Sequence, residues 1–357
     1  MPVRGLTRLR RHQFSRQSAF GTAEAATKAY LLSGVPEVEL NWTDPEVDAG
    51  SLVEVAAPHR EAPDLTAPLD IPQLRYNYVP KLLSGFFGGQ IAPTGGGTAK
   101  TWVYNPASVA PLDDLDPFTY EFGDDVEEDW YQLQDGVLES FEIAIPVGLG
   151  ACTGSESWRF GSVASTGSTD SPVTGDVPTD LSPDANETVV YGKDLAIYIA
   201  DTEAGLAAGQ VLDALYSGTV RFSGDLDLKR YANGTQTFEV SEVARATLMV
   251  EYELRLAKTT DIVGTGSESD HWMSDQAVDR YIRLTFTSTV EAQGGTPYSW
   301  TMSSPTRYRT RTEDAEGGNS VVVLTGRAWY DSGTFDGFYK STVVNTLTEA
   351  ELGEAGS

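Results

Sequence analysis

Two stretches of this chain come close to the spacing of a known reaction centre. Gly150-Ala151-Cys152-Thr153-Gly154 has the spacing of a nucleophile elbow with Cys in the serine place. A thiol nucleophile needs a base beside it, usually His, and the elbow needs a helix directly after its turn. The only histidines are His12, His59 and His271, and no helical pattern follows Gly154. A glycine-rich loop with a passenger cysteine is the favoured reading, with a cysteine hydrolase as the rival from the enzyme class. Gly95-Gly96-Gly97-Thr98-Ala99-Lys100-Thr101 suggests a phosphate loop, but that motif needs Gly immediately before the Lys and again five residues earlier. Ala99 and Thr94 stand there, so the stretch reads as a flexible loop. The histidines show no HxH or HxxxH spacing, which argues against zinc. No catalytic, cofactor-binding or metal site is assigned.

The remaining candidates are charged. Asp113, Asp114, Asp116, Glu121, Asp124, Asp125, Glu127, Glu128 and Asp129 crowd a stretch with no base from Thr101 to Trp158. Hard cations take several carboxylates, but the regular alternation and the glycine of a calcium loop are missing. A solvated acidic surface is the better reading. Arg307, Arg309 and Arg311 alternate with Tyr308 and Thr310, so in a strand their guanidinium groups would share one face. With Arg8, Arg10 and Arg11 of the basic N-terminus, they are candidate contacts to acids of a neighbouring subunit.

A chain of 357 residues with 40% hydrophobic content can bury a real core. The net charge of -27, from 52 acids against 25 bases, disfavours a protein that grips nucleic acid, because phosphate affinity needs Lys and Arg. It does not disfavour one past which DNA slides. No apolar run is long enough for a membrane helix. The basic N-terminus lacks the apolar stretch of a secretory signal and reads as a flexible arm. A lone cysteine excludes an intrachain disulfide and suits a reducing cytoplasm.

The elements that would hold these residues are strands. Period-two alternation marks Val38 to Trp42, Phe141 to Ile145, Val220 to Leu228, Leu248 to Leu256 and Ile282 to Phe286, and Val321 to Tyr330 reads as a buried strand. Asn233-Gly234 is the strongest hairpin signal. Helical signals are few: Ile71 to Phe87, kinked at or starting from Pro80 and stopped by Gly88-Gly89, and a weaker Ser274 to Arg280. A Ser/Thr/Gly/Asp/Pro stretch over 161–188 reads as a linker or long loop between 1–160 and 189–348, and 349–357 as a frayed tail.

The order of these features is similar to the opening of tail tube proteins of long-tailed bacteriophages. Arg16-Gln17-Ser18-Ala19-Phe20-Gly21-Thr22-Ala23 leads to Glu37-Val38-Glu39-Leu40 and a long loop over Thr43 to Leu69. The Leu74 to Phe87 helix, Pro117-Phe118-Thr119-Tyr120 and Gly136-Val137-Leu138-Glu139-Ser140-Phe141 follow. The resemblance spans residues 14 to 160 and lies in the order, not in any one motif. The second half repeats the plan in element order alone, with Asp194 to Asp201 as its entry strand. The resemblance implies a mainly β chain of two tandem tail-tube-like β-sandwich or barrel domains, each with a short helix and long inter-subunit loops. It implies a virion tail protein, assembled in the host cytoplasm, whose rings of three two-domain chains (or six) stack into a tube. It implies tape measure and tail terminator or baseplate proteins as partners, no cofactor and no membrane, with DNA passing through an acidic lumen. The acids Asp113, Asp114, Asp116, Asp124, Asp125, Glu127, Glu128 and Asp129 are the candidates for that lumen or for an inter-subunit surface. Two rivals remain: a neck or baseplate ring protein of the same fold, and a monomeric glycan-binding module using Trp130, Trp158 or Trp300.

Overall fold

Strands form nearly all the regular structure in the computed structural model of the chain. It describes residues 10–39, 42–43, 59–60, 64–88, 92–106, 115–124, 129–167, 181, 184, 187–207, 210–211, 215–229, 242–245, 247–257, 279–316 and 319–353. In chain order these are β1 (Arg10–Arg16), β2 (Lys28–Tyr30), β3 (Ser33–Gly34), β4 (Glu37–Glu39), β5 (Trp42–Thr43), β6 (His59–Arg60) and β7 (Asp64–Ile71). Helix α1 (Val79–Phe87) precedes β8 (Lys100–Tyr104), β9 (Phe118–Asp124), β10 (Asp129–Ile145), β11 (Thr153–Phe160) and β12 (Ser162–Gly167). Then come β13 (Leu195–Ala200), β14 (Gln210–Val211), β15 (Leu215–Ser223), β16 (Leu226–Lys229), β17 (Glu242–Arg245) and β18 (Met249–Ala257). The chain closes with β19 (Asp279–Gln293), β20 (Thr296–Glu316), β21 (Asn319–Ala328), β22 (Lys340–Asn345) and a single-turn α2 (Glu349–Leu352).

Two long strands organise the antiparallel ladder. β10 pairs through its first half with β9 and β12, and through its second half with β11 and β15. From β15 the sheet runs on through β18, β21, β20 and β19 to β13. β20 also takes β22, which takes β8. On the other side β11 takes β7, which carries β3 and β4, while β1 lies between β2 and β9. Because side chains alternate across a strand, Phe141, Ile143, Val220, Phe222, Val250, Leu254, Leu284 and Trp300 all turn inward and are buried. Each such burial contributes roughly 1.5–3 kcal/mol.

Helix α1 covers this inner face. Pro80 sits in its first turn, where a missing N–H costs nothing, and Gly88, at φ 68°, ends it by donating its N–H to Ser84 O at 2.8 Å. Phe86 meets Phe141 and Phe222 edge-on, with centroids 5.6 and 5.9 Å apart. One contiguous core runs from Phe14 to Leu352 and draws on residues of both 1–160 and 189–348.

The structure differs from the sequence reading at several places. The helix spans Val79 to Phe87 only; Ile71 ends a strand, and Leu74 to Tyr78 form the turn between them. The expected Thr43 to Leu69 loop already contains β6 and most of β7, because Leu65, Ala67 and Leu69 alternate inward. Part of the 161–188 linker is β12, hydrogen-bonded to β10. The Val220 to Leu228 stripe breaks after Ser223, and β16 pairs instead with β17. Asn233-Gly234 lies outside the described residues, as do residues 274–278 of the weaker helix, whose last two residues open β19. Trp158 and Trp300 are fully buried, so neither is placed to stack on a sugar.

Candidate functional site: a compensated sheet face over a buried charge cluster

The outward face of the ladder holds an open groove of about 500 Å³ across β7, β11, β10 and β15. Register explains its lining. Asp70 lies opposite Ser155, Ser155 opposite Glu142, Glu142 opposite Arg221, Arg221 opposite Glu251, and Glu251 opposite Arg327. Directly opposed residues share a face, so these six form one row across the sheet, with acids and bases alternating over its second half. Glu142 Oε2 accepts from Arg221 Nε at 2.8 Å. A parallel row of Ser157, Ser140 and Ser223 flanks it. The face is thus built of hydroxyls and charges that largely offset one another.

Beneath that face lies a buried ion pair. Lys81 of α1 and Glu156 of β11 are both fully buried, with Nζ 2.7 Å from Oε1. The ammonium sits over the rings of Phe14 at 4.3 Å and Tyr30 at 4.6 Å. Burial pulls the Lys81 pKa down, and Glu156 opposes that. Beside it, His12 Nδ1 is 2.8 Å from Tyr120 OH. Burial, with Lys81 and Arg10 nearby, lowers the His12 pKa to about 4. A lysine inside the apolar run Tyr78 to Phe87 was the available sequence signal for this cluster; Glu156 gave none.

Cys152 is fully buried, and burial, with Asp194 nearby, pushes its thiol up to about 12. Its turn runs into strand β11 rather than a helix, and its backbone pairs with Leu74 and Val190. That geometry does not make a nucleophile elbow. The triple-glycine stretch leads into β8, where Thr98 Oγ1 donates to Ala292 O at 3.1 Å.

The predicted charged residues scatter. Arg8, Asp113, Asp114, Asp125, Glu127 and Glu128 lie outside the described residues. Asp124 and Asp129 are opposed across β9 and β10, and Asp124 is also opposite Arg10, whose guanidinium lies 5.6 Å from the Phe122 ring. Arg11 is half-buried in β1. Asp116 corrects the expectation of a surface acid: it is 8% exposed and lies 3.5 Å from the buried Arg16. The arginine triplet is corrected too. A bulge between Tyr308 and Thr310 places Arg307 opposite Arg327 but Arg311 opposite Leu324. Arg309 is the extra residue, and one inserted residue turns Arg307 and Arg311 to opposite faces. Arg307 stacks near Trp329, and Arg311 reaches Glu313 at 3.4 Å.

No protein-family model matches the chain, and no curated protein matches it.

Proposed function

We propose that this chain is a structural subunit of a bacteriophage tail tube, self-assembling into stacked rings through which the genome passes. The compensated row from Asp70 to Arg327 carries the reading. A wall of serines on which Glu142 pairs with Arg221 and the next acid and base alternate in register offers a phosphate backbone few free cations, so DNA would move along it with little counterion-release binding. The sheet that bears the row is wide enough to serve as a channel wall, and its outer strands are edges that neighbouring subunits would cover. The resemblance of residues 14 to 160 to tail tube proteins supports the same reading. On it, the chain is two fused tail-tube-like units, three chains close a pseudo-sixfold ring, and the partners are further copies, the tape measure and the terminator or baseplate.

Negative-stain electron microscopy of the purified protein, averaged down the particle axis, tests this. Hollow rings or tubes support the proposal, and the mass per ring in units of 38.5 kDa decides between three and six chains. A chain that stays monomeric at high concentration refutes it.

A further inference from the structure

A second row crosses β1, β9 and β10 on the side of those strands away from Phe14 and Tyr120. Gln13 lies opposite Glu121, and Glu121 opposite Gln132. All three are sealed, at 0%, 2% and 1% exposure. The segment from Gln17 to Thr27 closes over them. Ala26 N–H donates to Glu121 Oε1 at 3.3 Å, Gln132 Nε2 donates to the same oxygen at 3.2 Å and to Glu24 O at 3.4 Å, and Glu24 N–H donates to Thr119 Oγ1 at 3.0 Å.

Two deficits meet in this row. No Lys, Arg or His among the described residues forms an ion pair with Glu121, and a buried carboxylate is destabilised in its charged form when no cation neutralises it. Neither the Nε2 nor the Oε1 of Gln13 has a hydrogen-bond partner, and a buried polar group left unpartnered is destabilising. The two side chains occupy directly opposed positions, with Cβ atoms typically ~5 Å apart. An amide oxygen, a carboxylate and the Glu24 carbonyl make a hard-oxygen ligand set. The single negative charge selects the ion: a monovalent cation neutralises it, whereas a divalent one would leave net positive charge buried and favours several carboxylates. Burial raises the Glu121 pKa and the two N–H donors on Oε1 oppose that rise; a bound cation would hold the carboxylate ionised.

We propose that Gln13 and Glu121 hold a monovalent alkali cation that pins the Gln17–Thr27 segment onto the sheet. The test is thermal unfolding of the full chain in sodium, potassium and tetramethylammonium chloride at equal ionic strength. The expected result is a midpoint that rises saturably with sodium or potassium and not with tetramethylammonium, as mass action requires for a ligand of the folded state. Glu121→Gln and, separately, Gln13→Leu remove that rise; if one variant fails to fold, the other and the wild-type comparison still decide. Equal midpoints in the three chlorides overturn the proposal and leave Glu121 a neutral buried acid. A cation dependence that survives in both variants places the ion elsewhere and overturns it as well.

Discussion

Replacing Lys81 with Met probes the buried cluster most directly. Both members of the Lys81–Glu156 pair are fully buried at 2.7 Å, and Glu156 Oε2 has no hydrogen bond to compensate it. Lys81→Met therefore leaves an ionised carboxylate among Phe14, Tyr30 and Trp158 with no counter-charge. Breaking a buried pair in this way costs about 3–5 kcal/mol, and the lost ring contacts add to it. The double variant Lys81→Met/Glu156→Leu removes the charge altogether. Buried pairs replaced by apolar residues of similar volume range from neutral to about 1–4 kcal/mol more stable. The second substitution should thus restore most of what the first removes. Urea unfolding followed by tryptophan fluorescence reads both, since Trp158 adjoins the pair. A single variant that costs under about 1 kcal/mol, or a double variant as unstable as the single, would refute the account of this pair as mutual compensation in a dry site.

Three further outcomes follow from named contacts. His12 is held neutral, its pKa depressed to about 4, while the unfolded chain protonates near 6.5; stability is therefore lost as pH falls from about 6.5 towards 4, by on the order of 3 kcal/mol. A His12→Phe variant should show a flatter loss over that window in denaturant titrations at stepped pH, and an unchanged slope would contradict the assignment. Cys152 should resist alkylation at pH 8 in the folded protein and react fully in denaturant, as its burial and raised pKa require; rapid native labelling counted by mass spectrometry would show the turn to be open. Gly85→Ala should destabilise by roughly 1–3 kcal/mol despite alanine's better helix propensity, because the new Cβ would lie 2.6 Å from the Trp158 ring; a gain in melting temperature would mean that the helix can shift away.

What the sequence revealed, and what it hid, divides by the range of the interaction. Alternation at Phe141–Ile145, Leu248–Leu256 and Ile282–Phe286 was legible because each strand has one buried face, and Pro80 with Gly88 marked both ends of α1 because their backbone effects are local. β1 was not read as a strand. Both of its faces are covered, so His12 through Arg16 are all buried and the period of two disappears. The bulge at Arg309 was equally hidden, since nothing in Arg307 to Arg311 signals which residue the partner strand will leave out. The functional rows were out of reach for a related reason. Asp70, Glu142, Arg221 and Arg327 come from four strands, and only the register of the sheet sets them side by side.

Register also changes what the overall acidity can do. Among the described residues the buried bases Arg16, Arg75, Lys81 and Arg280 are matched by the buried acids Asp116, Glu121, Asp135, Glu156 and Glu187, so the interior absorbs little of the net charge of -27. The excess is carried by residues other than these. Yet across β10, β15, β18 and β21 each acid of the row faces a base. If this face lines a conduit, then DNA slips past it chiefly because its acids and bases alternate in register, Glu142 with Arg221 as an ion pair. Repulsion from an acidic lining would decay within a Debye length, about 8 Å at physiological salt, and would need a dense carboxylate wall that this row does not supply. A self-compensated wall gives low adhesion at any salt. The surplus negative charge on the remaining surface is then left to keep the unassembled chain soluble and apart from its copies.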